Sequence, residues 1–485
     1  MGNLKNILDA FFKGIARSRV SLIGAMITTA VFPFLLGMVI IDSLWHIDNP
    51  YMGAIIYMIL GPAFMFGLAM VFVGLFFLKG KEEVRLFTLD YLREHFTDET
   101  KFARVRKLIF LGVFLTGANF FIFALLGYSG YHYLESNAFC GQFCHSVMEP
   151  EYTAYQNSPH SRVNCVECHI GSGATWFVKS KISGARQLFA VAFNTYPRPI
   201  QTPVHGLRPA RETCEECHQP EKFHGEKLII KDKFLADEKN THVKTVMLMK
   251  IGSAGNLAKS AHGIHWHVAP ENKITYRSDE KRLIIPEVTL TRADGTKVIF
   301  RSDSSSKDSD KKELAPDTRE MDCIDCHNRP THIYRGPEAA LDEKLLSGAI
   351  PSELPFIKEQ ALAVITKDYN SHDEARSAIS NSLTQWYQEK YPALIKSKPS
   401  LISTAIQGVQ EAYLENVWPS MNIKWNTYIN DIGHGENFDR GCFRCHDDMH
   451  TSEDGTTISG DCTTCHVILA EDEAHPEVLK ELQGE

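Results

Sequence analysis

Charged side chains are absent from three long stretches near the start of the chain, residues 20–41, 53–78 and 108–130. Beyond position 130, apolar and polar residues mix at short range. A helix crossing the hydrocarbon core of a bilayer needs about 20 apolar residues, and each stretch reaches that length. The first lacks the short apolar core and small-residue cleavage site of a secretory signal, so it is expected to be a retained helix, kinked at Pro33. Short cytoplasmic segments collect Lys and Arg. Lys5, Lys13, Arg17 and Arg19 precede the first stretch, and Lys79, Lys81, Arg85, Arg93, Lys101, Arg104, Arg106 and Lys107 lie between the second and third, whereas residues 43–52 hold neither type. The N-terminus is therefore expected inside and everything after residue 130 outside, with Asp42, Trp45 and His46 at the outer interface.

The polar remainder has its own rhythm. Residues 171–191 combine Trp176, Phe177, Val178, Ile182, Leu188, Phe189 and Val191 with Lys179, Lys181 and Arg186, an amphipathic stretch suited to a membrane surface. Residues 274–300 alternate as strands do, with Asp294-Gly295 as a hairpin turn, and residues 302–312 form a polar loop. The block 336–431 reads as helices: 354–367 and 401–414 space apolar residues at helical intervals, and Ser371 with Glu374 forms a capping-box start. The expected fold class is mainly α and irregular, three transmembrane helices followed by an outer domain with a small β insertion.

Composition is ordinary at 44% hydrophobic and 23% charged, and a net charge of -8 excludes a chain built to grip nucleic acid. The 12 cysteines and 21 histidines change the picture. Every cysteine belongs to a pair followed at once by histidine. Five pairs read C-x-x-C-H: Cys165/Cys168/His169, Cys214/Cys217/His218, Cys323/Cys326/His327, Cys442/Cys445/His446 and Cys462/Cys465/His466. The sixth, Cys140/Cys144/His145, has one more residue between its cysteines. About one hundredth of such a match is expected by chance in a chain of this composition. This spacing lets two thiols reach the two vinyl groups of one haem while the adjacent imidazole ligates the iron. A zinc ribbon would pair one C-x-x-C with another and would not need His after each. The wider Cys140 spacing leaves a single thioether, or no haem, as its alternative. Six covalently bound c-type haems are expected, and covalent haem attachment belongs to the outer face of the bacterial inner membrane, where the charge count places these motifs.

An iron with two axial ligands shuttles electrons, and one with an open position binds small substrates. Fifteen histidines remain for the second position. The foremost candidates are His160, before Cys165, and His332, five residues past His327. Next come His262, His265 and His267, then His434 and His450, which flank the fifth motif. Met148 stands three residues past His145, as a second ligand there or as an ordinary packing methionine. His46, His95, His372 and His475 carry no such expectation. The resulting domains are 1–130 in the membrane, 131–335 with four haems and an insertion at 219–320, and 336–485 with two more.

A membrane helix leading into C-x-x-x-C-H-x-x-M, then S-P-H, C-V-E-C-H, C-E-E-C-H and C-I-D-C-H-x-x-x-x-H, resembles the NapC/NirT/NrfH family of membrane-anchored multihaem cytochromes. The resemblance spans about residues 108–332, and three helices with extra haems look most like the ImcH-type quinol oxidases of metal-reducing bacteria. It implies menaquinol oxidation beside the first haem, with electrons passed to periplasmic c-type cytochromes or reductases. It also implies that a lysine about twelve residues past the second proximal histidine lies near the quinol. That position is Lys181, with Lys179 beside it. The acidic residue that the family often places shortly after this lysine is missing, since Arg186, Gln187 and Leu188 occupy the stretch. A relay subunit reduced by a partner membrane protein is the alternative. No G-x-G-x-x-G loop supports nicotinamide binding.

Overall fold

The computed structural model describes residues 18–45, 55–77, 99–143, 145–171, 173–204, 206–223, 225–252, 263–269, 272–302, 318–435 and 437–483. It divides into two compact units, Met1–Met148 and Glu149–Glu485. The first motif, with Cys140 and Met148, thus belongs to the unit that holds the apolar helices.

In the first unit all three apolar stretches are helical. Residues 20–41 fall in the helix Arg19–Trp45, which runs through Pro33 without ending. Residues 53–78 form a π-helical turn, Ile55–Leu60, and then the helix Gly61–Phe76. Pro62 has no N–H to give the preceding turn, which widens there. Residues 108–130 lie inside one 36-residue helix, Glu99–Leu134. Among the described residues one helix, Arg19–Met38, is both long and apolar enough to cross a membrane, and Gly61–Gly74 is a shorter apolar helix.

The first two helices pack along small residues. A Cβ on Gly24 would stand 2.6 Å from the Gly67 carbonyl oxygen, and one on Gly74 would stand 2.5 Å from the Ser21 nitrogen. Backbones this close gain dispersion contacts that larger side chains would forbid, the arrangement that lipid-embedded helices use in place of a hydrophobic drive. Leu35, Ile56 and Phe64 fill the interior. Phe34, Phe66, Phe110, Phe114 and Phe121 point outward and exposed, as expected of helices whose surroundings are as apolar as they are.

The second unit is built on a bundle of the helices Pro337–Leu346, Ile357–Ile365, His372–Lys390 and Pro399–Leu414. Its core includes Leu341, Leu354, Ile357, Ile365, Ile379, Leu383, Tyr387 and Tyr413. The expected start at Ser371 is present, with the Ser371 hydroxyl accepting from the Glu374 N–H at 3.1 Å, but the Glu374 carboxylate accepts from Asn370 N–H instead of closing the box. Gly408 is required by packing, because a Cβ there would meet the Ala349 carbonyl oxygen at 2.5 Å.

Two antiparallel sheets complete the unit. The strands are β1 (Lys227–Phe234), β2 (His242–Met249), β3 (Lys273–Arg277), β4 (Glu287–Thr291), β5 (Lys297–Ser302), β6 (Arg319–Glu320), β7 (His450–Ser452) and β8 (His466–Glu473). One sheet has the order β1-β2-β8 and the other β6-β3-β4-β5-β7. The turn at Asp294-Gly295 joins β4 to β5 as expected: Gly295 takes φ +84, and the Asp294 carboxylate accepts from the Thr296 N–H at 2.9 Å. The sheets extend beyond the expected insertion. β7 pairs with β5 and β8 with β2, so the segment holding the last two motifs is hydrogen-bonded to the insertion.

The β1–β2 hairpin is fastened to the bundle by a buried ion pair. Lys358, 2% exposed, donates to Asp342 at 2.7 Å and to the Phe234 carbonyl, and Asp342 accepts from the Phe234 N–H at 3.0 Å. Asn240 donates to the carbonyls of Ser352 and Leu354 and accepts from the Lys358 N–H. Removing one member of such a pair strands the other charge away from water. Lys358→Met is expected to lower unfolding free energy by about 3–5 kcal/mol, measured by urea denaturation followed by far-ultraviolet circular dichroism.

Candidate haem-binding sites

Each cysteine pair with single-turn spacing sits on one short turn. Cys165–His169 and Cys323–Cys326 are α-helical, Ala210–Cys214 is a helix ending on its first cysteine, and Gly441–Arg444 and Cys462–Thr464 are tighter 3-10 turns. The backbone N–H of His218, His327 and His446 donates to the carbonyl of the first cysteine four residues back, at 2.8, 2.8 and 3.0 Å. That closed turn brings thiols and imidazole to one side. In the first motif the extra residue falls in a π-helical turn, Phe139–Phe143, the wider turn that five-residue spacing needs. Cys144 lies outside the described residues. His145 opens the helix His145–Gln156, and Met148 follows on its next turn, half-buried. Helical side chains lean toward the N-terminus, which directs Met148 back toward the motif.

All eleven described cysteines are free of disulfides. Burial pushes the thiols of Cys326 and Cys445 up to about 12, away from the thiolate that zinc requires. Among the described residues no three His, Cys, Asp or Glu side chains converge on a metal position, so the four-ligand zinc alternative finds no support.

The imidazoles instead come in twos. Ring centroids lie 6.2 Å apart for His169 and His332, 6.1 Å for His218 and His160, 5.8 Å for His446 and His267, and 6.5 Å for His466 and His434. The fifth motif histidine in this unit, His327, is within electrostatic reach of His265. At metal–nitrogen bonds of about 2.0 Å, the length imidazole makes to zinc, two rings on opposite sides of one ion stand about 6 Å apart between centroids. The donor set therefore fits haem iron with two axial imidazoles.

Ring chemistry agrees with this. His160 donates from Nδ1 to the Pro330 carbonyl at 3.1 Å, His332 to Glu151 at 2.9 Å, His267 to Ile264 at 2.8 Å, His265 to Ile251 at 2.6 Å and His434 to Gly435 at 3.0 Å. A proton fixed on Nδ1 leaves the Nε2 lone pair for a metal. Burial holds His169, His332, His267, His327 and His466 below the usual imidazole value, in the neutral form that ligation needs.

Local geometry explains how the rings reach their places. Tyr155 donates to the Ser161 and Val163 carbonyls, and Ser158 accepts from the His160 N–H, which fixes the loop carrying His160. Arg329 donates to the His332 carbonyl and lies over the Tyr428 ring at 3.9 Å. His265 and His267 share one 3-10 turn, Ile264–Val268. Three residues per turn point residues i and i+2 about 120° apart, so one turn serves two centres. His262 lies outside the described residues.

Successive motifs of this unit are neighbours. The thiols of Cys168 and Cys217 influence one another, those of Cys214 and Cys323 share a hydrogen bond, Cys326 faces Cys442, and Cys442 faces Cys465. The second to sixth motifs thus form an unbroken series in chain order.

His450 departs from the pattern. It is 1% exposed, with Nδ1 on the Asp447 carboxylate at 2.8 Å and Nε2 on the Ile285 carbonyl at 2.7 Å. Both neighbours are acceptors, so both nitrogens donate and no lone pair remains for a metal. Lys181 and Lys179 lie on the helix Ala174–Ala192. Lys181 is on its half-buried face, with Nζ 4.8 Å from the Phe177 ring centre, and exposed Lys179 stands over Trp176 at 4.4 Å. Val178, Ile182 and Phe189 form an exposed apolar stripe along the same helix.

Three charged residues were not anticipated. Glu151 has its Oε2 atom 3.3 Å from His332 Nδ1, and burial holds its carboxyl above the usual range. Asp325 and Arg444 occupy the spacers of the fourth and fifth motifs and are also buried. The available signal was a charge placed inside a cofactor motif.

Turns that present two thiols and an imidazole, each met by a second neutral imidazole, define a c-type cytochrome. The model for the NapC/NirT cytochrome c family, N-terminal region, matches residues 102–203. The cytochrome c-type protein ImcH of Geobacter sulfurreducens is 40% identical over 458 residues, 93% of this chain and 88% of that protein. The cytochrome c-type protein NrfH of Wolinella succinogenes is 32% identical over 126 residues, 25% of this chain and 68% of that protein. The chain belongs to the NapC/NirT cytochrome c family, as a membrane-anchored electron-transport protein with covalently bound c-type haem. No solved structure shows significant similarity to it.

With both nitrogens of His450 engaged by protein, His450→Ala is expected to leave the haem absorbance spectrum unchanged. It should lower stability by about 1–3 kcal/mol through the stranded acceptors, measured by denaturant titration.

Proposed function

We propose that this protein is a menaquinol dehydrogenase of the bacterial inner membrane that delivers electrons to periplasmic c-type cytochromes or reductases. All three apolar helices cross the membrane, the N-terminus is cytoplasmic, and the unit from residue 149 onward is periplasmic. The observation that carries this reading is the pairing of motif imidazoles with second imidazoles whose Nε2 is free. Doubly ligated irons leave no open position for a small oxyanion, so the arrangement suits transport of electrons rather than substrate reduction at iron.

Six c-type haems are held by the six cysteine pairs, with His145, His169, His218, His327, His446 and His466 as proximal ligands. His332, His160, His265, His267 and His434 complete the second to sixth centres in that order, and Met148 completes the first. When bound, the haems accept and pass electrons one at a time. The chain's residues do the rest. Backbone carbonyls hold each distal ring in one tautomer, and burial keeps the imidazoles neutral. Lys181, seated on the half-buried helix face beside Phe177, donates a hydrogen bond to a quinol oxygen and steadies negative charge developing there as the quinol loses its protons. Lys179 faces the headgroups, and the apolar stripe of Val178, Ile182 and Phe189 enters the membrane interface.

Anaerobic stopped-flow reduction of the protein in nanodiscs by a reduced menaquinone analogue tests this reading. Rapid haem reduction is expected, slowed about tenfold or more in Lys181→Ala, the loss of one charge-assisted hydrogen bond worth about 1.5–3 kcal/mol. No reduction in protein that dithionite fully reduces would make the chain a relay fed by a partner subunit. His267→Ala is expected to convert one haem in six to the high-spin form, seen by electron paramagnetic resonance. An unchanged low-spin spectrum would remove His267 from the ligand set.

A further inference from the structure

We propose that Arg444 is a positioning residue that joins the fourth and fifth haem groups and raises their affinity for electrons. It occupies the spacer of Cys442-Phe-Arg-Cys445 and is 6% exposed. Its guanidinium leaves its own motif: NH1 donates to the Arg282 carbonyl at 2.9 Å, NH2 to the carbonyl of Asp325 inside the fourth motif, and Nε to Gly441 at 2.9 Å. Asp431, 8% exposed, faces it at 3.6 Å. Asp325, 3% exposed, is met by Arg319 at 3.0 Å, Arg282 at 3.6 Å and the Tyr276 hydroxyl at 2.5 Å. Asp322 lies 2.9 Å from Arg319.

Three guanidinium groups therefore balance three carboxylates between two cysteine pairs that face each other through Cys326 and Cys442. Inside a protein such charges are weakly screened, and each acts on any electron arriving nearby. A fixed positive charge between the two pairs stabilises the added electron, and an unbalanced carboxylate opposes it. Arginine suits the place because its planar fork satisfies three backbone carbonyls at once while remaining charged. Lysine could keep the charge without reaching all three.

This inference rests on haem occupying both motifs, which peptide mass mapping of the purified holoprotein checks first. Haem missing from Cys323/Cys326 or Cys442/Cys445 would overturn that assignment and this inference together. In the loaded protein, spectroelectrochemical titration separates the effects of charge and packing. Arg444→Met is expected to lower the electron affinity of two haems about tenfold, a negative shift of about 59 mV for a one-electron couple. Asp431→Asn, which removes the opposing charge, is expected to move the same two haems in the positive direction. Arg444→Lys should stay near the wild-type potentials while slowing equilibration between the pair. Should Arg444→Met fail to retain haem, the sign of the Asp431→Asn shift decides. Shifts of the same sign in both neutral variants, or potentials unchanged in fully loaded protein, would overturn the electrostatic role.

Discussion

A ring that binds metal through one nitrogen must find a partner for the other, and that requirement organises the haem-bearing unit. Each candidate distal histidine spends its Nδ1 proton on a backbone carbonyl, and those carbonyls belong to Glu151, Ile251, Ile264, Pro330 and Gly435. The loops that offer them are held in turn by specific side chains. Tyr155 and Ser158 fix the His160 loop, Asn328 ties the segment after the fourth motif to Ile429 and Asp431, and Arg444 links the fourth and fifth spacers. Polar anchoring takes over where the chain has little regular structure to hold its shape.

The bundle of residues 337–414 holds the largest group of fully buried side chains, and it is free of cysteine. It reaches the haem-bearing parts through hydrogen-bonded junctions: Lys358 and Asp342 grip β1, and Asn416 accepts from the Arg335 N–H. Sheet pairing does similar work at the other end. β8 begins at His466 and pairs with β2, so the backbone of the last motif histidine lies in a ladder rather than a free loop. The terminal motifs are thereby placed against the insertion by main-chain hydrogen bonds, which do not depend on the side-chain identities of the strands.

Electrostatics follows the same economy. The imidazoles are buried and held neutral, while the charges that must be buried are grouped and opposed, as with Arg319, Arg282 and Arg444 against Asp322, Asp325 and Asp431. Uncompensated ions would be costly in such a setting. Compensated ones give each haem neighbourhood a fixed field, which is how a protein sets the working potential of a cofactor whose chemistry it does not supply.

Local chemistry was legible in the chain itself. A C-x-x-C-H run closes on one turn wherever it falls, so the thiols and proximal imidazoles could be read by spacing alone, and uncharged runs of membrane length marked the first helices. The β4–β5 turn and the helices after residue 336 were readable for the same reason, because their signals lie within a few residues. Distal partners were another matter. The His160 ring bonds a carbonyl 170 residues away and that of His332 one 181 residues away, so no local pattern records them. His434 and His450 flank the same motif and look alike in sequence. Tertiary structure separates them: one Nδ1 meets a carbonyl and leaves Nε2 free, whereas His450 finds an acceptor at each nitrogen. Bond spacing along the backbone determined where haem attaches, and long-range packing decided which imidazoles could complete it.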